Sequence, residues 1–324
     1  MRETQPENPL PAQLVPYLAA CRAELGQPAE TAWGPDPYWP KWDNQWWRLT
    51  LLLELGEPLP EALAEAFATR LEQHYLHHFP LIESELPAGC DPYGQILCHC
   101  ALGTAARILL AGGIDVWARL PWLYDWLFRY QQADGGYNCD EQAYTGSHKS
   151  SLVSTLPVLE ALLASRLQAD FTAAERDLLG RGVDYLLAHH LYQRRGGGII
   201  EAAWLQPLFP RFYEYDILRG LSLVIRASLA LRRPLAWPAL AEAFQQLEDQ
   251  LEAGRLQPQA WYLGEQKTLR PGPEGWIRSQ PVSLFPLLEQ AIRPEIGREY
   301  ITREWNILCR RLDELNTLGL LEGR

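Results

Sequence analysis

A chain of 324 residues, 47% of them hydrophobic, is long enough to bury a sizeable core as one large domain or two ordinary ones. Its formal net charge of -11 leaves no basic stripe for a phosphate backbone, so nucleic acid is excluded as an expected partner. No apolar run approaches the roughly 20 residues that span a bilayer, and the proline-rich, acidic N-terminus lacks a signal-peptide core. With six cysteines (Cys21, Cys90, Cys98, Cys100, Cys139, Cys309) lacking CxxC spacing and read as free thiols, the cytoplasm is the expected location.

Helix follows helix along the chain, and almost nothing alternates with period two. Residues 1–40 hold one helix, 11–26, and an entry segment. The stretch 43–56 starts at an Asp or Asn cap, stops at Gly56 and is apolar nearly all round, as a helix buried on both sides would be. An amphipathic helix is predicted over 58–79. The alternation repeats: 93–113 apolar, 115–132 amphipathic, 148–167 apolar, 172–193 amphipathic, 213–231 apolar, 238–254 amphipathic. Residues 303–315 read as a last inner helix, and 255–282 is a Pro/Gly-rich excursion placed over one end of the fold.

Hairpins of one buried and one half-exposed helix, recurring every 45 to 65 residues, signal a repeat architecture. The polarity difference within each pair favours a closed ring over an open solenoid. The expectation is a single all-α domain spanning 1–324, an α/α toroid of five to six helical hairpins whose inner helices surround an apolar, aromatic-lined central cavity. In it the polar stretch 137–149, after the turn Asp134-Gly135-Gly136, lies at the mouth of the ring.

Five blocks, "CHCALGTAARILLAGG", "YQQADGGYNC", "GSHKSSLVSTLPVLEALL", "YLLAHHLYQRR" and "FPRFYEYDILRGL", resemble bacterial prenyltransferase/squalene-oxidase-repeat proteins, relatives of squalene-hopene cyclases and protein prenyltransferase β-subunits. The likeness runs from about 40 to 232, with Tyr137 standing where the repeat usually carries Trp or Phe. It implies a terpene-cyclase-like or prenyltransferase-like protein acting on an isoprenoid or similar apolar small molecule in the cavity. Fold likeness alone does not assign a reaction.

The diagnostic motifs of that chemistry are absent: there is no DxDD and no DDxxD. Glu214 and Asp216, two apart at the start of an inner helix, are candidate catalytic acids through mutual repulsion and desolvation, or alternatively helix caps. By the resemblance, the three zinc-ligand positions of the prenyltransferases fall on Gly146, His148 and Glu214, a departure at every ligand. His148, expected at an inner-helix N-terminus that would keep it neutral, is the candidate base or metal ligand. His148, Glu214 and Cys139 are a candidate metal set whose donor types suit zinc or iron, with the cofactor itself left open between them and none. Cys98, Tyr137, Cys139, Asp140, Lys149, Tyr213 and Tyr215 are expected on the cavity wall or rim, with His99 a further candidate beside Cys98. Two readings of other classes stand beside the isoprenoid enzyme. One is a non-catalytic toroid binding a lipid or peptide; the other is a metal-dependent enzyme unrelated to isoprenoids, which needs Cys98 and Cys139 to meet His148.

Overall fold

A computed structural model describes residues 10–28, 33, 36–75, 88–89, 97–166, 170–259, 267–273 and 275–323. The chain is mostly helical. In order, α1 is Val15–Leu25, α2 Gln45–Leu55, α3 Glu61–His74, α4 His99–Ala111, α5 Val116–Arg119 and α6 Pro121–Tyr130. Then come α7 Leu152–Ser165, α8 Ala173–Ala188, α9 Ile217–Leu231, α10 Pro238–Glu248, α11 Pro286–Ala291 and α12 Pro294–Thr317.

The helix starts are written in the sequence. Asn44 accepts the Gln45 amide at the head of α2, Ser151 does so for Ser154 in α7, and Thr172 with Glu175 forms a reciprocal capping box on α8. Gly56, in the left-handed region at φ 74, ends α2. Where one amphipathic helix is predicted over 115–132, two form. Asp115 caps α5, and Pro121, which has no N–H to continue the turn, restarts the chain as α6. The helix predicted over 303–315 is longer than its apolar pattern, running from Pro294 to Thr317.

The expectation of an all-helical chain is corrected in two places. β1 (Leu235–Ala236) pairs in parallel with β4 (Leu321–Glu322), and β2 (Lys267–Gly272) pairs antiparallel with β3 (Gly275–Pro281) within the expected excursion. The Thr268 hydroxyl accepts the Lys41 amide at 2.8 Å and so ties this hairpin to the entry segment. Cys90 falls outside the described residues, as do 260–266 and 274 of the excursion.

The apolar helices α2, α4, α7 and α9 pack one against the next, and α12 packs on α9. Each is buried nearly all round, as the sequence predicts. Among the described residues, α4 and α7 make the most extensive contact between two elements. It depends on Gly103, where a Cβ would stand 2.5 Å from the Pro157 carbonyl carbon, and backbone there cannot move aside as a flexible side chain would. We therefore expect Gly103→Ala to cost about 2 kcal/mol or more by overpacking, read as a lower denaturant midpoint with unchanged slope. A midpoint equal to wild type would mean that the two helices separate freely.

Candidate metal centre and the charged cavity

Residues 134–151 form a rigid turn leading into α7. Asp134 accepts the Gly136 amide and the Ser150 hydroxyl, at 3.1 and 2.6 Å. Gly135 has φ 92, and a Cβ there would meet the Arg181 carbonyl oxygen at 2.2 Å, so only glycine fits. Tyr137 is fully buried, its hydroxyl donating to the Leu127 carbonyl at 2.7 Å. Cys139 follows, half-buried, and the chain loops through a π-turn, Ala143–Ser147, before α7 begins.

This loop carries Cys139 onto the N-terminal end of α4. There Cys98, the N-cap position, and Cys100, one residue into the helix, face the same way. The Cys98 and Cys100 Sγ atoms lie 3.2 Å apart, Cys139 and Cys100 3.6 Å, and all three fall within 4.8 Å of one another. Among the described residues no fourth His, Cys or carboxylate joins the group. Hydrogen bonds with Cys100 and Cys139 hold the Cys98 thiol well below the ordinary thiol range. Cys100 is pushed well up by its contacts with Cys139 and Cys98 and by burial. For Cys139 the contact with Cys100 pulls downward, but Cys98 and burial win and push it up to about 12.

The surroundings are phenolic. Tyr38 and Tyr213 lie close enough to Cys98 and Cys100 to feel their charge, and burial, then negative neighbours, keep both phenols protonated. Lys41 Nζ donates to the Tyr213 hydroxyl at 2.8 Å. Burial raises Glu214, against the pull of Lys41 and Arg219. Below the cluster, His99 is fully buried and both ring nitrogens are engaged: Nδ1 with the Asn138 carbonyl at 2.8 Å, and Nε2 as acceptor from the Trp126 indole at 3.2 Å. Burial lowers its pKa to about 4, so it is a neutral core histidine rather than a ligand.

The other sequence candidates are placed elsewhere. His148 is exposed, in the left-handed region at φ 47, and Ser151 rather than His148 begins α7, so the dipole argument for it does not apply. Asp140 and Lys149 are exposed, with Asp140 accepting the Gln142 amide inside the loop and the Lys149 carbonyl accepting from Asn138. Tyr215 is buried, its hydroxyl on the Leu191 carbonyl at 2.6 Å. Asp216 is fully buried and caps α9 through the Arg219 amide; it also accepts the Leu208 amide and pairs with Arg211 at 2.5 Å. Of the expected metal set, Cys139 alone enters the cluster. Cys100 was not singled out by the sequence reading; its signal was the Cys-x-Cys spacing at a helix start.

A cavity of about 650 Å³ lies among α2, α4, α7, α9 and α12. Its wall corrects the expectation of an apolar, aromatic lining, since eleven of its nineteen lining residues are arginine or glutamate. The large rings pack instead into the core beside the entry segment, where Tyr38, Trp42, Trp46, Trp47 and Phe212 form a continuous cluster. In the wall Glu160 accepts a two-point bond from Arg219, at 3.0 and 2.7 Å, and a third from Arg107 at 2.7 Å. Burial alone would raise its pKa; the two guanidiniums outweigh that and hold it at about 2. Glu160 therefore adds stability that is complete above the unfolded value near 4.5 and is lost as pH falls from there towards 2. The shift corresponds to about 3 kcal/mol. Between pH 5 and 3 the melting temperature of Glu160→Gln should fall less steeply than that of wild type. Parallel slopes would show that Glu160 does not carry the acid sensitivity.

No protein-family model matches this sequence, and no curated protein matches it. Among the described residues, no helix is long and apolar enough to cross a membrane.

Proposed function

We propose that the helices close into an α/α toroid and that Cys98, Cys100 and Cys139 hold a zinc ion at its N-terminal rim, making the chain a metal-dependent transferase with prenyltransferase-like thiol chemistry. The observation that carries this reading is the convergence of three thiols. A tetrahedral zinc with bonds of about 2.3 Å places its sulfurs about 3.8 Å apart, close to the spacings already present. Ring closure is supported by the Tyr300 hydroxyl reaching the Leu55 carbonyl at 3.3 Å, which joins α12 to α2.

A zinc ion with three protein thiolates and an open fourth position supplies Lewis acidity towards a soft donor such as a substrate thiol. The chain's own groups do the rest. Cys98, lowered by its neighbours, gives up its proton for a metal more readily than Cys100 and Cys139, which are raised. The Tyr38 and Tyr213 phenols, kept protonated by burial, lie within electrostatic reach of the thiols, and Lys41 fixes Tyr213 by donating to its hydroxyl. Acid-initiated cyclisation has less support, because Asp216 is committed to a helix cap and an ion pair.

The test is to load the protein with cobalt(II) and follow its sulfur-to-metal absorption during titration with a small thiol such as 2-mercaptoethanol. A saturable change in intensity and position supports an open site that takes a thiol. An unchanged spectrum of a loaded protein would overturn the transferase reading.

A further inference from the structure

The charge of the central cavity carries an inference independent of the metal centre. Seven arginines face this space: Arg107 from α4, Arg211 from the preceding loop, Arg219 and Arg226 from α9, and Arg303, Arg310 and Arg311 from α12. Against them stand Glu54, Glu160, Glu304 and Glu314 in the wall and Asp216 behind Arg211. Formal charge therefore favours the cationic side by two, in a chain whose overall charge is -11. The carboxylates are also heavily used. Glu160 is shared by Arg107 and Arg219, Glu304 pairs with Arg211 at 2.6 Å, and Glu54 accepts the Arg211 and Phe212 amides. Burial raises Glu54 and lowers Arg107, Arg226 and Arg311, the responses of groups drawn out of water.

Helix dipoles account for part of this. The C-terminal ends of α2, α4 and α7 each carry roughly half a negative charge, which favours Arg107 near the end of α4. The three arginines of α12 lie at least six residues from its end at Thr317, beyond the reach of that effect. A water-filled cleft lined by excess guanidinium concentrates anions, and guanidiniums recognise phosphate through paired N–H donors. The volume suits an organic molecule rather than a bare ion. The apolar part of the wall includes Phe209 stacked on Tyr300, with centroids 4.5 Å apart and planes at 10°.

From this we infer that the cavity binds a hydrophilic phosphate ester carrying at least two negative charges, held by Arg226 and Arg303 and their neighbours. The experiment is calorimetric titration with ribose 5-phosphate and ADP, with ribose and adenosine as unphosphorylated partners and citrate as a charge-matched carboxylate, all at constant ionic strength. The phosphorylated compounds should bind and their partners should not. Arg226→Gln and Arg303→Gln, each checked for folding by circular dichroism, should weaken binding at least 10-fold. Lys149→Gln, on the exposed loop, should leave it unchanged, and the titration uses protein without added metal, so a failure of the metal centre would not register here. Equal binding of citrate, heat without saturation, or unaltered affinity in both folded arginine variants would overturn the inference.

Discussion

Replacing Cys100 or Cys139 by serine is expected to abolish stoichiometric zinc binding while leaving the fold intact. Loss of groups that merely orient a metal ligand typically costs 10–100-fold in affinity, so loss of a ligand itself should exceed about 100-fold. Cys100 is 6% exposed and Cys139 half-buried at the end of a loop, so serine, which is smaller, fits both places. Cys309, on α12 and outside the thiol cluster, is the control, and Cys309→Ser should bind zinc like wild type. The pH dependence carries a sharper signature. Cys98, lowered by its neighbours, gives up its proton more readily than Cys100 and Cys139, which are raised. Apparent affinity therefore rises with pH, and between pH 6 and 8 its logarithm should gain less than three per pH unit. Competition titration with a chromophoric chelator at three pH values measures the slope. A slope near three would mean that Cys98 is an ordinary thiol in the metal-free protein, and a slope near zero would remove thiols from the site.

The second large effect is expected at Asp216. Asp216→Ala removes the cap of α9, worth about 1 kcal/mol, and leaves the Arg211 guanidinium buried beside Glu304 alone. Breaking a buried pair from one side costs about 3–5 kcal/mol. For a protein of ordinary marginal stability this approaches the whole margin, so the variant should be largely unfolded or recovered only at low temperature. Asp216→Asn keeps an oxygen for the Arg219 and Leu208 amides while losing the charge, and should fall between the two. Chemical denaturation of the three proteins orders them. If Asp216→Ala kept wild-type stability, the buried aspartate would not be structural, and its role as a catalytic acid would regain its ground.

How much of this is legible in the sequence depends on which force decides each feature. Hydrophobic period and caps decide the helices locally, so α2, α4, α7, α8 and α9 were readable within a few residues. Pro121 split a predicted helix because a missing N–H is a local veto that the apolar pattern does not record. The hairpin of β2 and β3 escaped because its strands are short, polar and interrupted by Pro and Gly, with no alternation to find. At the site, the 137–149 stretch was flagged and Cys139 does reach the cluster, but its partners arrive from α4 through the tertiary fold. His148 drew attention for its type and nominal position. The observed start at Ser151 leaves three residues between it and α7, enough for a left-handed turn to face it to solvent. The cavity was misjudged for a simpler reason: aromatic content was counted, whereas the arginines of α4, α9 and α12 sit on helix faces that only the packing turns inward.

The central claim is that three thiols of this chain form one metal centre, and X-ray absorption at the zinc edge tests it most directly. After loading with one equivalent of zinc and removal of excess, the account predicts a first shell of three sulfurs at about 2.3 Å and one lighter donor near 2.0–2.1 Å. Cys139→Ser, loaded and washed in the same way, should retain no stoichiometric zinc and show no three-sulfur shell. A shell of nitrogen and oxygen alone, or a sulfur count unchanged by that substitution, would contradict it.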